Sequence, residues 1–600
     1  MEESAAGVYQ KLNKSQRQFR LLHLQPTNAF NQDDSADNIV GELSVESLDD
    51  PPDYEALSYV WGDPGNCVDI TVNGFDFPAT RNLYQALKRL VFKDQVRVLW
   101  VDAICINQAD FEERSQQVGE MRHIYQSAKS VVAFLGDPYG GIEIALRYLT
   151  LSAEDDSRHM QRGLGSHLSV GDLDAHSDEL AIALIKLFYL PWWKRVWTVQ
   201  EFLLAREVIF YGGQHVIPAS ILARGASNLI NHGRLCCDPE AGSFSRKFSV
   251  DEDDDISHDV WHGINNFLGL TAWSGASPDS RLFHWVLCVF RMRLATDPRD
   301  KVYGLLGLAP EELDGLISLD YAADVERVFE TFTVEYVQYY KNLGLLSSLG
   351  GQRRLPNLPS FCPDWTIRPG NDASNDETMM VQVANRIAVQ QFHCASGVSK
   401  ATWRRIGPGA IAANGFVFDE IRDVSPECWR QSQERRRQWA KDIRALAGQV
   451  ETRTFLRALC GELTFSVERQ IFEPVRDGEG DVEGRLEKWW KWILSGENNA
   501  TRDKDVISVE QAVFTISAGR SFVVTQKGYI GYADQHCRPG HVVSILGGGH
   551  APFVLAPTLS GEGEPRHRVI GDAYIYGIMQ GEAFGLAARQ ADQLDEIILI

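Results

Sequence analysis

The stretch LWVDAICINQADFEERSQQVGEMRHIYQSAKSVVAFLG (residues 99–136) decides the fold, because its pattern passes from strand to helix and back to strand. Residues 96–101 form a run of β-forming side chains broken by one arginine, which is typical of a buried strand. Asp110 and Glu113 have capping-box spacing, so a helix is predicted to begin after Asp110. Residues 130–135 are the next apolar run, and Gly136 ends it.

The same alternation continues on both sides of this stretch. Residues 54–61 predict a strand, and residues 82–91 predict a helix with apolar residues at helical spacing. Residues 180–190 and 192–205 predict two helices separated by a proline, and residues 207–217 have the form of a hairpin. Strands that alternate with helices imply a parallel sheet with right-handed crossovers. The sequence therefore predicts an α/β domain.

A chain of 600 residues is too long for one hydrophobic core, so several domains are expected. The α/β domain is followed by a mainly helical region and then by short β-runs with glycine turns, which predict a small C-terminal antiparallel β-unit. The predicted divisions are an N-terminal extension with the first strand (1–50), the α/β domain (51–218) with a flexible insertion (151–178), a helical region (219–350), a connector and helical region (351–504), and the β-rich unit (505–600).

Composition excludes several classes of protein. The fractions of hydrophobic (44%) and charged (23%) residues are those of an ordinary globular chain. A net charge of −22 repels phosphate backbones, so nucleic acid is not expected as the main partner. No apolar run approaches the roughly 18 residues of a membrane span. Ten cysteines without a CxxC pair fit a reducing compartment, so a cytoplasmic location is expected.

Common chemical motifs are missing from the sequence. No phosphate-binding GxxxxGK[ST] and no GxSxG nucleophile motif is present. His258 and His262 have helical metal-pair spacing, but no third ligand accompanies them, so no metal site is predicted. Cys105 is interpreted as a buried small hydrophobe rather than a nucleophile. No cofactor is predicted.

Polar residues gather at the carboxyl ends of the predicted parallel strands, where open α/β sheets place their ligands. Asp102 lies in an otherwise apolar stretch, so its carboxylate must be hydrogen-bonded or paired with a charge. Arg114 and Arg195 are the predicted partners under a structural role, and a functional role is the alternative. The candidates are Ser58 and Asp63 after the first strand, Asp102, Asn107 and Gln108 after the second, and Glu201 in the tryptophan-rich segment.

At these residues the chain resembles a known family. YEALSYVWGD (54–63), residues 99–136 and LPWWKRVWTVQEFLLA (190–205) resemble the three signature blocks of the fungal heterokaryon incompatibility (HET) domain. RLATDPRDKVYGLLGLAP (293–310) and a terminal block (528–584) resemble sequence that often follows it. The resemblance implies a fungal module for non-self recognition or cell-death signalling, with protein partners or self-association.

HET domains are regarded as distant relatives of TIR domains, which implies a TIR-like, flavodoxin-like sheet. Trp197 and Glu201 have the separation of the TIR motif WCxxE, which places both on one helix face. In NAD-cleaving TIR domains that glutamate is catalytic, so an alternative function is NAD⁺ hydrolysis with Glu201 as the catalytic carboxylate. Under this alternative NAD⁺ is a substrate, and the ligand-binding residues are Ser58, Tyr59, Trp61, Asp63, Asp102, Asn107 and Trp197.

One carboxylate could suffice for that reaction. Nicotinamide is a cationic leaving group, and an anion beside the ribose can stabilise the oxocarbenium-like transition state. The competing interpretation is that Glu201 pairs with Arg195 or Lys194 and that the tryptophans pack in the core. The primary expectation is a signalling and interaction module.

Overall fold

The computed structural model describes residues 7–26, 39–136, 140–155, 167–170, 173–235, 267–271, 283–349, 354–367, 392–426, 433–467, 469, 471–475, 481–495, 503–558, 565–590 and 594–600. His258 and His262, the two histidines with metal-pair spacing, lie outside them. The chain divides into two compact units. Unit 1 contains residues 1–279, 293–310 and 319–321, and unit 2 contains residues 280–292, 311–318 and 322–600.

The strands of unit 1 are β1 (Gln18–Leu24), β2 (Val40–Ser47), β3 (Glu55–Ser58), β4 (Cys67–Val72), β5 (Phe75–Thr80), β6 (Arg97–Trp100), β7 (Ser130–Phe134), β8 (His167–Val170), β9 (Leu173–His176), β10 (Val208–Gly212) and β11 (His215–Pro218). Its helices are α1 (Arg81–Leu90), α2 (Asp102–Cys105), α3 (Phe111–Ser127), α4 (Ile142–Glu154), α5 (Ser177–Phe188), α6 (Thr198–Leu203) and α7 (Ala219–Leu235). A 3₁₀ turn covers Pro191–Lys194.

Nine of these strands form one sheet, in the order β11-β10-β7-β3-β6-β1-β2-β4-β5. The central strands β6, β3, β7 and β10 run parallel, which confirms the predicted α/β architecture. Along the chain their order is second, first, third, fourth, as in flavodoxin-like sheets. The chain therefore reverses direction across the sheet at β3, and the carboxyl end of β3 lies beside that of β7.

The sheet also has antiparallel pairs on both sides of its parallel centre, and one of them is the hairpin predicted over residues 207–217. β1 pairs antiparallel with both β6 and β2, and β11 pairs antiparallel with β10. β1 and β2 come from the first 50 residues, where Phe19, Leu21 and Leu24 are buried. Alternation of apolar side chains identifies a strand but not its partner, so the sequence pattern did not reveal that this region extends the sheet.

Helix α3 begins as predicted, but only half of the capping box forms. The Asp110 carboxylate accepts hydrogen bonds from the backbone N–H groups of Glu112 and Glu113, both at 3.0 Å. Glu113 does not return to the cap. Its carboxylate is buried against Arg20 at 2.7 Å and accepts the Asn107 N–H at 2.8 Å. The unpaired Arg20 guanidinium would be costly to bury, so the ion pair takes priority over the cap.

The predicted helix over residues 192–205 is wrong in its first half. The 3₁₀ turn ends at Lys194, Arg195 is extended with φ −80° and ψ 138°, and the helix proper is only α6. An isolated parallel bridge between Arg195 and Leu294 explains the break, because its hydrogen bonds require extended backbone. The region predicted as a flexible insertion contains the short hairpin β8–β9.

Unit 2 begins with helices and continues into a largely antiparallel sheet. Its helices are α8 (Phe283–Val289), α10 (Glu311–Asp314), α11 (Val325–Tyr340), α12 (Gln433–Ala447), α13 (Thr452–Cys460), α14 (Val482–Ser495), α15 (Lys504–Ser517) and α16 (Glu582–Leu586), and α9 (Asp300–Leu306) belongs to unit 1. Its strands are β12 (Trp403–Gly407), β13 (Ala410–Val424), β14 (Leu463–Ser466), β15 (Ile471–Pro474), β16 (Arg520–Thr525), β17 (Ile530–Asp534), β18 (Val542–Leu546), β19 (Phe553–Thr558), β20 (Arg566–Ile575) and β21 (Asp595–Leu599).

The C-terminal antiparallel unit is confirmed, but it is larger than predicted. β13 pairs with both β16 and β18, which closes the six strands β13-β16-β17-β20-β19-β18 into a barrel-like sheet. β12 and β13 belong to it although they precede residue 505. Among the described residues, no helix is long and apolar enough to cross a bilayer.

Candidate functional site

A buried hydrogen-bonded chain lies at the carboxyl end of β3. The Ser58 hydroxyl donates to the Glu201 carboxylate, and the Trp192 indole N–H donates to the Ser58 oxygen at 2.8 Å. Ser58 is 1% exposed and Glu201 is 3% exposed. β3 positions Ser58, the 3₁₀ turn positions Trp192, and α6 positions Glu201. The structure therefore brings together two side chains predicted from sequence and a third that was missed.

Burial dominates the electrostatics of Glu201. It raises the pKa of this carboxyl to about 7, because the charged form loses its hydration. The Arg195 charge and the Ser58 hydrogen bond work in the opposite direction, and the Asp102 carboxylate adds a smaller increase. Glu201 is therefore poised to exchange a proton near neutral pH.

A second group surrounds Asp102, on the neighbouring strand end. The Trp61 indole N–H donates to its carboxylate at 2.7 Å, the Ala103 backbone N–H donates at 2.7 Å, and the Tyr59 hydroxyl is a further partner. Burial raises the Asp102 pKa, and the Arg195 charge partly offsets that effect. Burial, followed by the Asp102 charge, raises the pKa of Tyr59 well above its ordinary value. Trp61 is 39% exposed and Asp102 is half-buried, so this group lies close to the surface.

Arg195 links the two groups electrostatically, since its charge lowers the pKa of both Asp102 and Glu201. Its guanidinium donates to the Tyr59 carbonyl oxygen. The other predicted partners lie elsewhere. Arg114 stacks between the rings of Phe111 and Tyr321, at 5.1 and 4.9 Å, instead of reaching Asp102. The Lys194 ammonium lies over the Tyr189 ring rather than beside Glu201.

Three predicted residues have local roles in turns. The Asp63 carboxylate accepts the Gly65 N–H at 2.8 Å, and the Asn107 side-chain oxygen accepts the Ala109 N–H at 3.2 Å. The Gln108 amide donates to the Asp102 carbonyl oxygen at 3.0 Å. Asp63 and Asn107 therefore shape the loops after β3 and α2, and neither side chain bonds to the buried group.

Trp197 contacts a residue that sequence reasoning missed. Its indole N–H donates to the Asp300 carboxylate at 3.1 Å, while Glu201 faces Ser58. Trp197 and Glu201 thus bond to different neighbours, although they are only four positions apart in the sequence. Asp300 also accepts the Tyr321 hydroxyl at 2.8 Å, and burial raises its pKa to about 6. The charged DPRDK motif (297–301) contains Asp300 and could have marked this residue as a candidate, but it does not indicate that Trp197 is the partner.

The chemistry available here is that of an enclosed acid. Burial raises the pKa of Cys105 to about 12, so its thiol stays protonated and is no nucleophile at neutral pH. In the part of the chain that the structure describes, no three His, Cys, Asp or Glu side chains group to hold a metal ion. An aromatic cluster packs behind the site, consisting of Trp192, Trp193, Phe202, Phe210 and Phe267.

Comparison with known proteins matches both units to described families. The family model for heterokaryon incompatibility protein (HET) matches residues 54–201, and the model for the Het-6 β-barrel domain matches residues 502–594. The chain is 26% identical to "Heterokaryon incompatibility protein 6, OR allele" of Neurospora crassa over 681 aligned positions, covering 95% of each protein. No solved structure matches.

These matches fall on the elements described above. The HET match begins at Tyr54, just before β3, and ends at Glu201, so it contains both strand ends and both acidic residues of the buried group. The barrel match covers β16 to β20 and omits β13, which closes the barrel. The chain therefore carries a HET domain in unit 1 and a Het-6 β-barrel domain in unit 2, and it is similar to a fungal heterokaryon incompatibility protein along nearly its whole length.

Proposed function

We propose that this protein acts in heterokaryon incompatibility, as a non-self recognition module whose HET unit triggers a cell-death response. The nearly full-length similarity to a protein named for heterokaryon incompatibility supports this role. The partner that we propose is another protein or a second copy of this chain, in the cytoplasm. The net charge of −22 supports a protein partner over nucleic acid, because like charges repel.

The observation that carries the proposal is that the hydrogen-bonded chain Trp192–Ser58–Glu201 is buried, with each side chain bonded to the next. A catalytic carboxylate must touch its substrate, whereas Glu201 is 3% exposed and engaged by the Ser58 hydroxyl. This arrangement fits a carboxyl that holds α6 against β3. The flavodoxin-like strand order is compatible with a TIR-like relationship, and many TIR domains act by assembling partners rather than by chemistry.

The test uses Glu201→Gln in the full chain, expressed in a filamentous fungus. Glutamine imitates the protonated carboxyl, and its oxygen can still accept the Ser58 hydroxyl. We expect this substitution to change the free energy of unfolding by less than about 0.5 kcal/mol, which corresponds to about a factor of two. Killing should therefore remain within about twofold of that by the unmodified protein. NAD⁺ is measured at the onset of death, and Glu207→Gln serves as an exposed control with the same change of charge.

A different result would contradict the proposal and support catalysis by Glu201. If cellular NAD⁺ falls before death, and Glu201→Gln abolishes both the fall and the killing, then Glu201 is catalytic and the scaffold role is wrong. Ser58→Ala completes the set, because it removes the hydroxyl and adds no atoms to the buried site. Its buried Glu201 partner is left unsatisfied, so killing should fall with the amount of folded protein.

A further inference from the structure

We propose that Asp300 is a positioning residue of the HET site, acting through Trp197 to hold Glu201 against Ser58. The proposal deepens the proposed function and rests on it, because it assigns a role to residues outside the matched HET region. It concerns the segment comprising residues 293–310, which lies about 90 residues beyond the end of that match. Tyr321 supports it from the second short piece of unit 1.

The backbone of the 293–310 segment is fixed directly to the stretch before α6. The Val196 N–H donates to the Leu294 carbonyl at 2.9 Å, and the Leu294 N–H donates back to Lys194. The buried Arg293 guanidinium donates to the Trp193 carbonyl. The Lys301 ammonium donates to the carbonyl of Arg293 and so reinforces the same turn. The segment therefore sets the path of the chain that leads into α6.

The Asp300 side chain then fixes the residue that caps the N-terminus of that helix. Trp197 is the N-terminal cap of α6 and donates its indole N–H to Asp300, which the Tyr321 hydroxyl also holds. The Glu201 backbone N–H donates to the Trp197 carbonyl at 3.2 Å. Two hydrogen bonds thus connect the Asp300 carboxylate to the Glu201 backbone through a single tryptophan.

Two glycines let α9 approach α6 at close range. A Cβ atom on Gly304 would lie 3.1 Å from Val196 Cγ1 and 3.4 Å from Trp197 Cδ2. A Cβ atom on Gly307 would lie 2.6 Å from Gln200 Oε1. Larger residues would push the helices apart, because packed interiors leave no room for an added methyl group. α6 therefore contacts β3 through Glu201 and contacts α9 through Trp197 and Gln200.

The experiment measures tryptophan indole signals by NMR in the ¹⁵N-tryptophan-labelled full chain. Trp197→Phe and Trp192→Phe assign the two signals of interest. Trp197 reports directly on Asp300, whereas Trp192 donates to Ser58 and reports on the Glu201 side. Asp300→Ala removes the acceptor, and Asp300→Asn keeps an oxygen at the same reach. Asp297→Asn is the matched control, since Asp297 pairs with Arg299 and not with Trp197.

If Asp300 positions the site, Asp300→Ala changes the Trp192 signal as well as the Trp197 signal. Hydrogen exchange of the Trp192 indole should accelerate about tenfold or more, as expected when a hydrogen bond to a charged group is lost from a buried network. Asp300→Asn should restore most of the protection, and Asp297→Asn should leave both signals in place. Trp197→Phe should reproduce the Trp192 change, which covers the case in which Asp300→Ala does not fold.

A Trp192 signal that is unchanged in both Asp300→Ala and Trp197→Phe would overturn the proposal, because the effect would then stop at Trp197. Equal loss of Trp192 protection in Asp297→Asn would also overturn it, because that result would indicate a general loosening of residues 293–310. Failure of the proposed function appears differently. In that case the NMR coupling persists, while cellular NAD⁺ falls before death and Glu201→Gln abolishes both the fall and the killing.

Discussion

The two large sheets of this protein treat buried polar groups in different ways. The end of the parallel sheet in unit 1 joins a carboxylate, a serine hydroxyl and an indole N–H in a chain of hydrogen bonds. The barrel of unit 2 surrounds an apolar cluster, and its buried Arg520 and Asp572 side chains, 3% and 4% exposed, form a direct ion pair. Buried polar groups must find partners, so they specify one arrangement at a cost in stability, while apolar packing stabilises the fold without directional demands. The comparison teaches that unit 1 satisfies the buried polar groups at its sheet end through a chain of side chains, whereas the barrel satisfies its Arg520–Asp572 charges by direct pairing next to an apolar cluster.

The largest expected effect comes from the Arg20–Glu113 pair, whose side chains are 1% and 9% exposed. Glu113→Ala leaves the buried guanidinium without its carboxylate, so unit 1 should lose about 3–5 kcal/mol of its free energy of unfolding. Hydrogen exchange of β1 and β6, followed by mass spectrometry, measures the loss. Ile545→Ala in the barrel should cost about 2–5 kcal/mol through a cavity alone, at β18 rather than β1.

The comparison predicts that Arg20→Met combined with Glu113→Leu recovers much of the loss, because an apolar pair of similar volume avoids the desolvation of two charges. The stability lost in Ile545→Ala should not be recovered by a second substitution of a polar residue, because that loss comes from a cavity and not from an unpaired charge. If the double apolar variant is as unstable as Glu113→Ala, then the Arg20–Glu113 pair stabilises unit 1 through its hydrogen bonds and not only by neutralising a buried charge.

A smaller expected effect is that the stability of the two units depends on pH in opposite directions. The Glu201 pKa is about 7 in the folded chain against 4.5 ordinarily, so the folded state holds its proton more tightly. Its contribution is present below pH 4.5 and is lost as the pH rises through 7, which amounts to about 3 kcal/mol. His393 in unit 2 has its pKa lowered by burial from 6.5 to about 4, so its contribution is present above pH 6.5 and is lost as the pH falls through 4.

Hydrogen exchange between pH 4 and 8, corrected for intrinsic rates, measures both trends. Glu201→Gln should flatten the pH dependence at β3, and His393→Gln should flatten it around Tyr574, which packs near His393. Each substitution should leave the other unit unchanged. A common pH trend in both units would show that these two groups do not control the local stability.

The smallest effect compares two helix caps of the same chemistry. Asp110 caps α3 in unit 1, and the Asp503 carboxylate accepts the Val506 N–H at 3.1 Å to cap α15 in unit 2. Replacing either aspartate with alanine should cost about 1 kcal/mol, because two backbone donors at Asp110 and one at Asp503 lose their partner. The measurement is exchange in the first turn of each helix. Asparagine at either position should retain most of the cap.

Sequence patterns identified the local elements of unit 1 well. The strands β3, β6 and β7, the helix α1 and the hairpin β10–β11 follow from alternation, helical spacing and a double glycine. The rule that ligands and polar residues gather at strand ends also grouped Ser58, Asp102 and Glu201 correctly in space. These features depend on near neighbours in the sequence, so local preference is enough to find them.

Long-range pairing was not accessible in the same way. Nothing in Trp192 distinguishes a partner of Ser58 from an ordinary core tryptophan, and the contact between Trp197 and Asp300 spans 103 positions. The break at Arg195 depends on Leu294, so helical spacing alone predicted a continuous helix there. β13 was missed because its burial comes from pairing with β16, β18 and β21, which lie at least 95 residues further along the chain.

The construction of unit 1 from separated stretches has a consequence for its synthesis. Glu201 leaves the ribosome well before Asp300 and Tyr321 do. At about 5–20 residues per second, the 120 positions from Glu201 to Tyr321 take about 6–24 s to translate. During that interval the nascent chain has β3 and α6 but lacks the residues that receive the Trp197 indole. A message that stops before codon 293 would therefore yield a HET region that never acquires its final contacts.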